Sequence, residues 1–354
     1  SIALVGQLVT AFSLAFAIGT PIVVTLTSSW ERKKVLLGTL SVFLIGNLLS
    51  LLPLPFSLLL ITRVILGTSA GVFIVVAMSV AAKLVEPDKI GNAVSTVSLG
   101  FGVALVVGVP LGVIFSGWFG WKSIFALLAV LSFLIMIPLS RFIPSLEGEK
   151  SIHIKEQLSI LKNKEIAGGL LIFFFLITGY GLSYIYLTPF LQETIHLTMP
   201  TISLSMLIFG VFSIIGTRLG GYGADKWGTS KTVTFSILIH SLFLILLPLF
   251  TNSMLSTLLL AALWVGVANT TIPALQTHFI QQTPQSSDLV LSASSSVAQL
   301  GLAVGSGLGG LVINLSNTTY FNPWLSSVIV IFAFITAYIV LSMPKKIVSE
   351  SHSN

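Results

Sequence analysis

The feature that most limits what this chain can fold into is its division into long apolar blocks separated by short polar stretches. The run FSLLLITRVILGTSAGVFIVVAMSVAAK at 56–83 shows the pattern, with charge only at Arg63 and Lys83. A helix rises about 1.5 Å per residue, so a block of roughly 20 apolar residues crosses the ~30 Å hydrocarbon layer of a bilayer. In lipid every backbone N–H and C=O must be satisfied within the segment, which makes such blocks helices. Composition removes the alternative. The 354 residues are 55% hydrophobic and 8% charged, against about 25% charged in a typical soluble domain. A soluble core of this length could not enclose that much apolar surface.

Eleven spans are expected, at about 4–26, 35–52, 56–83, 93–115, 121–140, 166–190, 201–222, 232–250, 254–277, 289–311 and 324–343. The stretch 141–165 is the one long polar connection, and it divides the chain. The expected organisation is therefore a first bundle at 1–140, a linker at 141–165, a second bundle at 166–343 and a tail at 344–354. Lysine and arginine orient it. With the 27–34 loop in the cytoplasm, the same side receives Lys83, Lys89, Arg141, Lys150, Lys155, Lys162, Lys164, Lys226, Lys231, Lys345 and Lys346, making 14 of the 17 basic residues. The positive-inside rule then places the linker and the tail in the cytoplasm of a multi-pass cell-membrane protein.

The halves repeat each other. Gly19-Thr20 and Lys34 return as Gly216-Thr217 and Lys231 at an offset of 197 (216 less 19, 231 less 34), and Pro87 returns as Pro284. Gly102 and Gly108 return as Gly301 and Gly307 at an offset of 199 (301 less 102, 307 less 108). Parallel helical repeats joined by a loop are the mark of a two-bundle transporter. The second half has six expected spans and the first has five. The repeat therefore leads to the expectation that the partner of 166–190 lies upstream of Ser1.

Gly221, Asp225, Gly228 and Lys231 form a glycine–aspartate–glycine–basic loop signature, and with it the chain resembles the major facilitator superfamily along its full length. Glycines allow a tight helix exit there, and Asp225 can cap or pair where two bundles meet. In the first half Ser28 stands at the aspartate position and Glu31 at the second glycine. Arg63-Val-Ile-Leu-Gly67 resembles the family's arginine motif. The set Gly102, Gly108, Pro110 and Gly112, followed by Gly117-Trp-Phe-Gly-Trp121, resembles its antiporter motif. Glu31-Arg-Lys-Lys34 and Thr188-Pro189-Phe190-Leu191 are similar to the drug:proton antiporter branch of sugar (arabinose-type), purine and chloramphenicol exporters. The resemblance implies an all-α fold of two pseudo-symmetric bundles and a monomer that exports a small molecule in exchange for protons, the alternatives being a facilitator or symporter for uptake of a small solute and a non-transporting sensor on the same scaffold. It also implies an acidic proton carrier upstream of Ser1, facing Arg63.

Arg63 lies about seven residues, roughly 10 Å, below the outer end of its helix. A guanidinium at that depth costs about 2.5–3.5 kcal/mol on insertion scales and cannot escape by losing its proton. It either snorkels toward carbonyls at the helix end or pairs with an anion, carried by another helix or by the substrate. None of the eleven acidic residues lies inside a span. The glycine run is expected to pack helices closely, with Pro110 adding a bend. Tyr180, Tyr184, Trp264, Asn269 and Gln299 are polar or aromatic groups at mid-depth. They either line a cavity, stacking a flat substrate and bonding its edge, or bond between helices. His240 reads as a packed histidine, and His278 as a solvated one near a helix end. The stretch 152–164 is amphipathic and suits the inner membrane surface.

Several function classes drop out. The chain has no cysteine, which excludes disulfides and thiolate metal sites. It has no P-loop, and its serines lack a paired base, so neither ATP-driven pumping nor an enzyme is expected. No cofactor is expected, and its positive charge belongs to loops at a bilayer rather than to nucleic-acid binding.

Overall fold

The computed structural model describes residues 8, 11–108, 111, 115–116, 118–148 and 163–341. Pro110, Gly112, Gly117, positions 152–162 of the amphipathic stretch and the tail at 344–354 lie outside the described residues.

The fold is all-helical. Its elements are α1 (Ala11–Leu26), α2 (Arg32–Leu49) and α3 (Phe56–Lys83). Next come α4 (Ile90–Val103, continued by a π turn Ala104–Gly108) and α5 (Lys122–Phe142). The second half holds α6 (Lys164–Tyr184), α7 (Leu187–Ile195), α8 (Met199–Trp227) and α9 (Thr229–Leu249). It ends with α10 (Met254–Gln282), α11 (Ser287–Ser316) and α12 (Asn322–Leu341). Helices α3, α5, α6 and α8 to α12 are long and apolar enough to cross a membrane. Among the described residues α2 falls short because it opens on Arg32, Lys33 and Lys34.

One expected span is broken. The sequence reads 166–190 as continuous, but the helix stops at Tyr184 and restarts at Leu187. Pro189 has no N–H to return to the Ile185 carbonyl, so the ladder cannot run through that turn. Elsewhere glycine sets the boundary. Gly228 takes φ 87°, outside the range an ordinary side chain favours, so α8 ends and α9 begins without an intervening loop.

Packing repeats the sequence symmetry. In the first half α3 packs against α1, α2 and α4, while α5 lies on α2. In the second, α10 packs against α8 and α9, and α12 lies on α9 and α6. Contacts between the halves come in reciprocal pairs, α4–α8 with α1–α11 and α4–α10 with α3–α11. A two-fold relation between halves requires that reciprocity. The α8–α10 crossing is tight because Gly216 sits against the Gly266 backbone, where a Cβ would overlap the carbonyl. One core surrounds Trp264, Phe209 and Phe279, and the other surrounds Val72, Val75 and Val76. Large apolar side chains such as Phe133, Leu134, Phe235 and Phe332 face outward, as a lipid-facing surface does. At the end away from the basic loops, Glu193 accepts from the Thr319 backbone amide at 2.8 Å and ties α7 to the turn before α12.

Candidate functional site

Among the described residues, most hydrogen bonds and the ion pair between the two halves lie at the end that carries the basic loops. Asp225, near the end of α8, accepts hydrogen bonds from the backbone amides of Gly91 (2.6 Å) and Asn92 (2.8 Å). Those amides belong to the first turn of α4 and have no partner within their own helix, and a carboxylate there also meets the positive end of the helix dipole. Arg218, two turns earlier on α8, donates to Asn92 Oδ1 (2.7 Å) and Thr96 Oγ1 (2.8 Å). Gly221 leaves room for Gly91 and Ser95 to sit directly against α8. Ser98 of α4 donates to Gln276 of α10 at 3.2 Å. Of the four signature residues, the structure brings Gly221 and Asp225 to the contact, uses Gly228 to end the helix and leaves Lys231 exposed.

The reciprocal contact is built differently. Ser28 and Glu31 occupy the positions of Asp225 and Gly228, so no carboxylate reaches across from α1. Instead α11 carries its own acid, Asp288, in its first turn, and Arg32 from the first turn of α2 meets it at 2.8 Å. Both side chains are buried, at 0% and 1% exposure. Arg32 is also held by the Thr27 carbonyl (3.5 Å) and the Ser28 carbonyl, and its backbone amide donates to Leu146 O at 2.9 Å. Ser79 of α3 and Ser287 of α11 share a hydrogen bond at 3.3 Å beside the pair. Glu31, at the surface, is held below the usual carboxylate range by hydrogen bonds from Lys34 and Ser145. Sequence reasoning missed Arg32 and Asp288. The available signal was the missing aspartate on one side together with an acid at the start of the opposite helix.

Deeper in the molecule, four of the five mid-depth candidates come together. Tyr180 and Tyr184 stack with ring centroids 4.8 Å apart and planes 16° apart. Trp264 of α10 lies 5.8 Å from Tyr180. The Tyr180 side chain also interacts with Asn269, whose Nδ2 donates to the Val265 carbonyl at 2.9 Å. Trp264 is fully buried between Tyr180 and His240, so it backs the tyrosines and is not a wall of the site. Gln299 is half-buried on α11, and no described contact joins it to this group. His240 is fully buried, as its reading as a packed residue had it. His278 differs from expectation. It is buried, and its Nδ1 pairs with Thr229 Oγ1 at 3.1 Å, because α10 continues to Gln282 and α9 covers it.

Arg63 meets α5 through an aromatic ring. Its guanidinium lies over the Phe125 ring of α5, 4.3 Å from the centroid, with the residue 8% exposed. The ring face supplies partial negative potential but no hydrogen-bond acceptor. At Gly108 the expected close packing is not found among the described residues. Gly102 lies within α4, and a Cβ on Gly108 would meet nothing within 4 Å. Close packing is instead found in the second half, where Gly301, Gly305 and Gly309, one turn apart, face α6.

Comparison with known proteins places this geometry. The family model described as Major Facilitator Superfamily matches residues 1–285 and 169–353. The "Uncharacterized MFS-type transporter YbcL" of Bacillus subtilis (strain 168) is 35% identical over 352 residues, covering 99% of this chain and 90% of the relative. A "Probable sugar efflux transporter" of Helicobacter pylori (strain P12) is 26% identical over 319 residues, 90% of this chain and 81% of the relative. Among solved structures, the human organic anion transporter MFSD10 (TETRAN) has a TM-score of 0.77 at 17% identity, covering 94% of this chain and 83% of its own. The transporter FucP, in the outward conformation, has a TM-score of 0.79 at 13% identity, covering 95% and 89%.

Proposed function

Because this chain belongs to the major facilitator superfamily, it is a multi-pass membrane transporter and not an enzyme, and we propose that it exports a small polar ring compound, of the sugar or nucleoside class, in exchange for protons. The observation that carries this reading is the distribution of bonds between the halves. Among the described residues they gather at the basic end, through Asp225, Arg218, Ser98, Ser79 and Arg32, with one mid-depth contact of Ser296 with Ala17. With the basic loops in the cytoplasm, that end is a closed inner gate, and the Tyr180–Tyr184–Asn269 group lies on the outer side of it. Alternating access follows when the gate opens and the outer halves of the helices meet.

The Tyr180 and Tyr184 rings offer a flat face, and their hydroxyls with the Asn269 amide offer donors and acceptors at its edge. A ring with hydroxyl or ring N–H groups suits that mixture. The naming of a Helicobacter pylori relative as a probable sugar efflux transporter supports the same class and direction.

Proton coupling is tested in reconstituted vesicles loaded with labelled sugar or nucleoside. Imposing a pH gradient is expected to speed exchange about tenfold, equivalent to about 1.4 kcal/mol of drive, and a protonophore is expected to abolish the gain. Equal rates with and without the gradient would make the protein a facilitator. Arg63 supplies the second test. Its replacement by alanine is expected to cut gradient-driven transport more than about tenfold, while lysine, which keeps the charge, retains part of it. Unchanged transport in Arg63→Ala would remove the residue from the coupling scheme.

A further inference from the structure

We infer that the outer rim of the second half holds a binding site for an organic ammonium ion, separate from the Tyr180–Tyr184–Asn269 group. The site is a cavity of about 380 Å³ lined by Glu193, Thr194, Thr251, Thr318, Tyr320 and Phe321. Glu193 and Thr194 stand in the last turn of α7, which ends at Ile195. Thr251 follows the end of α9 at Leu249, and Thr318 follows the end of α11 at Ser316. Three helices therefore end beside one cavity, and one, α12, begins there. The C-terminal end of a helix carries about half a negative charge, so the sum favours a cation.

The side chains add to that field. Glu193 is the one carboxylate in the lining, and among the described residues no lysine or arginine pairs with it. Desolvation works against its charge. Hydrogen bonds from Thr318 Oγ1, Thr319 Oγ1 (2.5 Å) and the Thr319 amide outweigh it and hold the carboxyl below the usual carboxylate range. The negative charge is thus fixed in place without a counter-charge. Tyr320 and Phe321 belong to a ring cluster with Trp324, whose centroid lies 5.4 Å from Tyr320 and 6.0 Å from Phe321. Tyr320 Oη donates to the Pro248 carbonyl at 3.0 Å and Trp324 Nε1 to the Ile245 carbonyl at 3.2 Å, which ties the cluster to α9. Phe321 is 44% exposed, so its ring is open to a ligand. An aromatic face attracts an ammonium through its quadrupole, and a ring already held in place adds little ordering cost. A hard metal ion suits the cavity poorly, since it takes six or more oxygen ligands, and no group of three His, Asp or Glu occurs among the described residues. A neutral sugar would bond the hydroxyls and leave the carboxylate without a counter-charge. Carboxylate, helix ends and ring faces together fit a compact ammonium bearing alkyl groups.

Choline is the probe, because it can be compared with dimethylbutanol, in which carbon replaces the charged nitrogen. Binding of radiolabelled choline to the full chain in lipid nanodiscs, at constant ionic strength, is expected to saturate. Dimethylbutanol is expected to compete at least about tenfold more weakly. Glu193→Gln keeps an acceptor oxygen for Thr319 and removes the charge. It is expected to lower choline affinity about tenfold with an unchanged thermal midpoint. Phe321→Leu keeps an apolar side chain without the ring, and is expected to lower affinity about threefold. The inference is overturned if choline does not saturate, if dimethylbutanol competes equally, or if Glu193→Gln binds as the parent does. Displacement of choline by glucose or by calcium at lower concentration than choline itself would also overturn it, marking a polyol or a metal site instead. If Glu193→Gln fails to accumulate, Phe321→Leu and the dimethylbutanol comparison decide alone. Binding uses no gradient and no transported substrate, so failure of the export reading leaves this result standing.

Discussion

A valine at Gly305 is expected to abolish transport, whereas a valine at Gly307, two residues further along the same helix, is expected to leave it near the parental level. A Cβ at Gly305 would fall against the backbone of Thr178 and lie 2.9 Å from the Leu182 amide nitrogen. Backbone cannot yield as a flexible side chain can, so α11 and α6 must separate. Overpacking of this kind costs about 1–3 kcal/mol when neighbours can shift, and more when they are backbone. In a membrane, helix pairing depends on such close packing because burial against lipid gives little drive. At Gly307 a Cβ meets nothing within 4 Å. The measurement is accumulation, thermal midpoint and vesicle transport of both variants side by side. Equal behaviour of the two would refute the packing of α11 against α6 described above.

The second large effect is expected at Asp225. Alanine there strips the acceptor from the Gly91 and Asn92 amides, each a contact across the halves. A buried orphaned donor costs about 1–3 kcal/mol. The Gly91 amide is part-buried while the Asn92 contact is exposed to water, so the α4–α8 fastening weakens by enough to shift the closed and open states about tenfold. Asparagine keeps one acceptor oxygen without the charge and is expected to fall between alanine and the parent. Lys231→Ala, by contrast, is expected to stay within about twofold, because Lys231 is exposed and makes no described bond. Transport rates normalised to protein in the membrane separate these cases. A severe Lys231 effect with a mild Asp225 effect would reverse the assignment of roles within the signature.

Much of the architecture could be read before any coordinates, for a specific reason. Apolar blocks such as 56–83 are dictated by the solvent, and the helix Phe56–Lys83 begins and ends where the block does. The repeat offset likewise carried over, since Gly216 and Gly19 both sit in close helix crossings. What escaped the sequence depends on distant partners. The 166–190 block gives no hydropathy cue to its break, because Pro189 interrupts hydrogen bonding and not apolarity. Trp264 was a plausible cavity wall by depth alone, and only the packing of Tyr180 and His240 on either side of it shows that it is enclosed. Arg32 read as one of three loop cations, and Asp288 as a helix-end acid. Their pairing spans 256 positions (288 less 32) and has no local signature.

The π turns of α1 and α4 carry a mechanical consequence. Ala15–Gly19 and Ala104–Gly108 each insert a wider turn into a helix that touches the opposite half. Their counterparts α8 and α11 run 29 and 30 residues as uninterrupted α-helix. Compliance is therefore unevenly shared: one half meets the other through jointed struts, and is met in turn by stiff rods. If the halves rock as proposed, bending is expected to concentrate in α1 and α4 more than in α8 and α11.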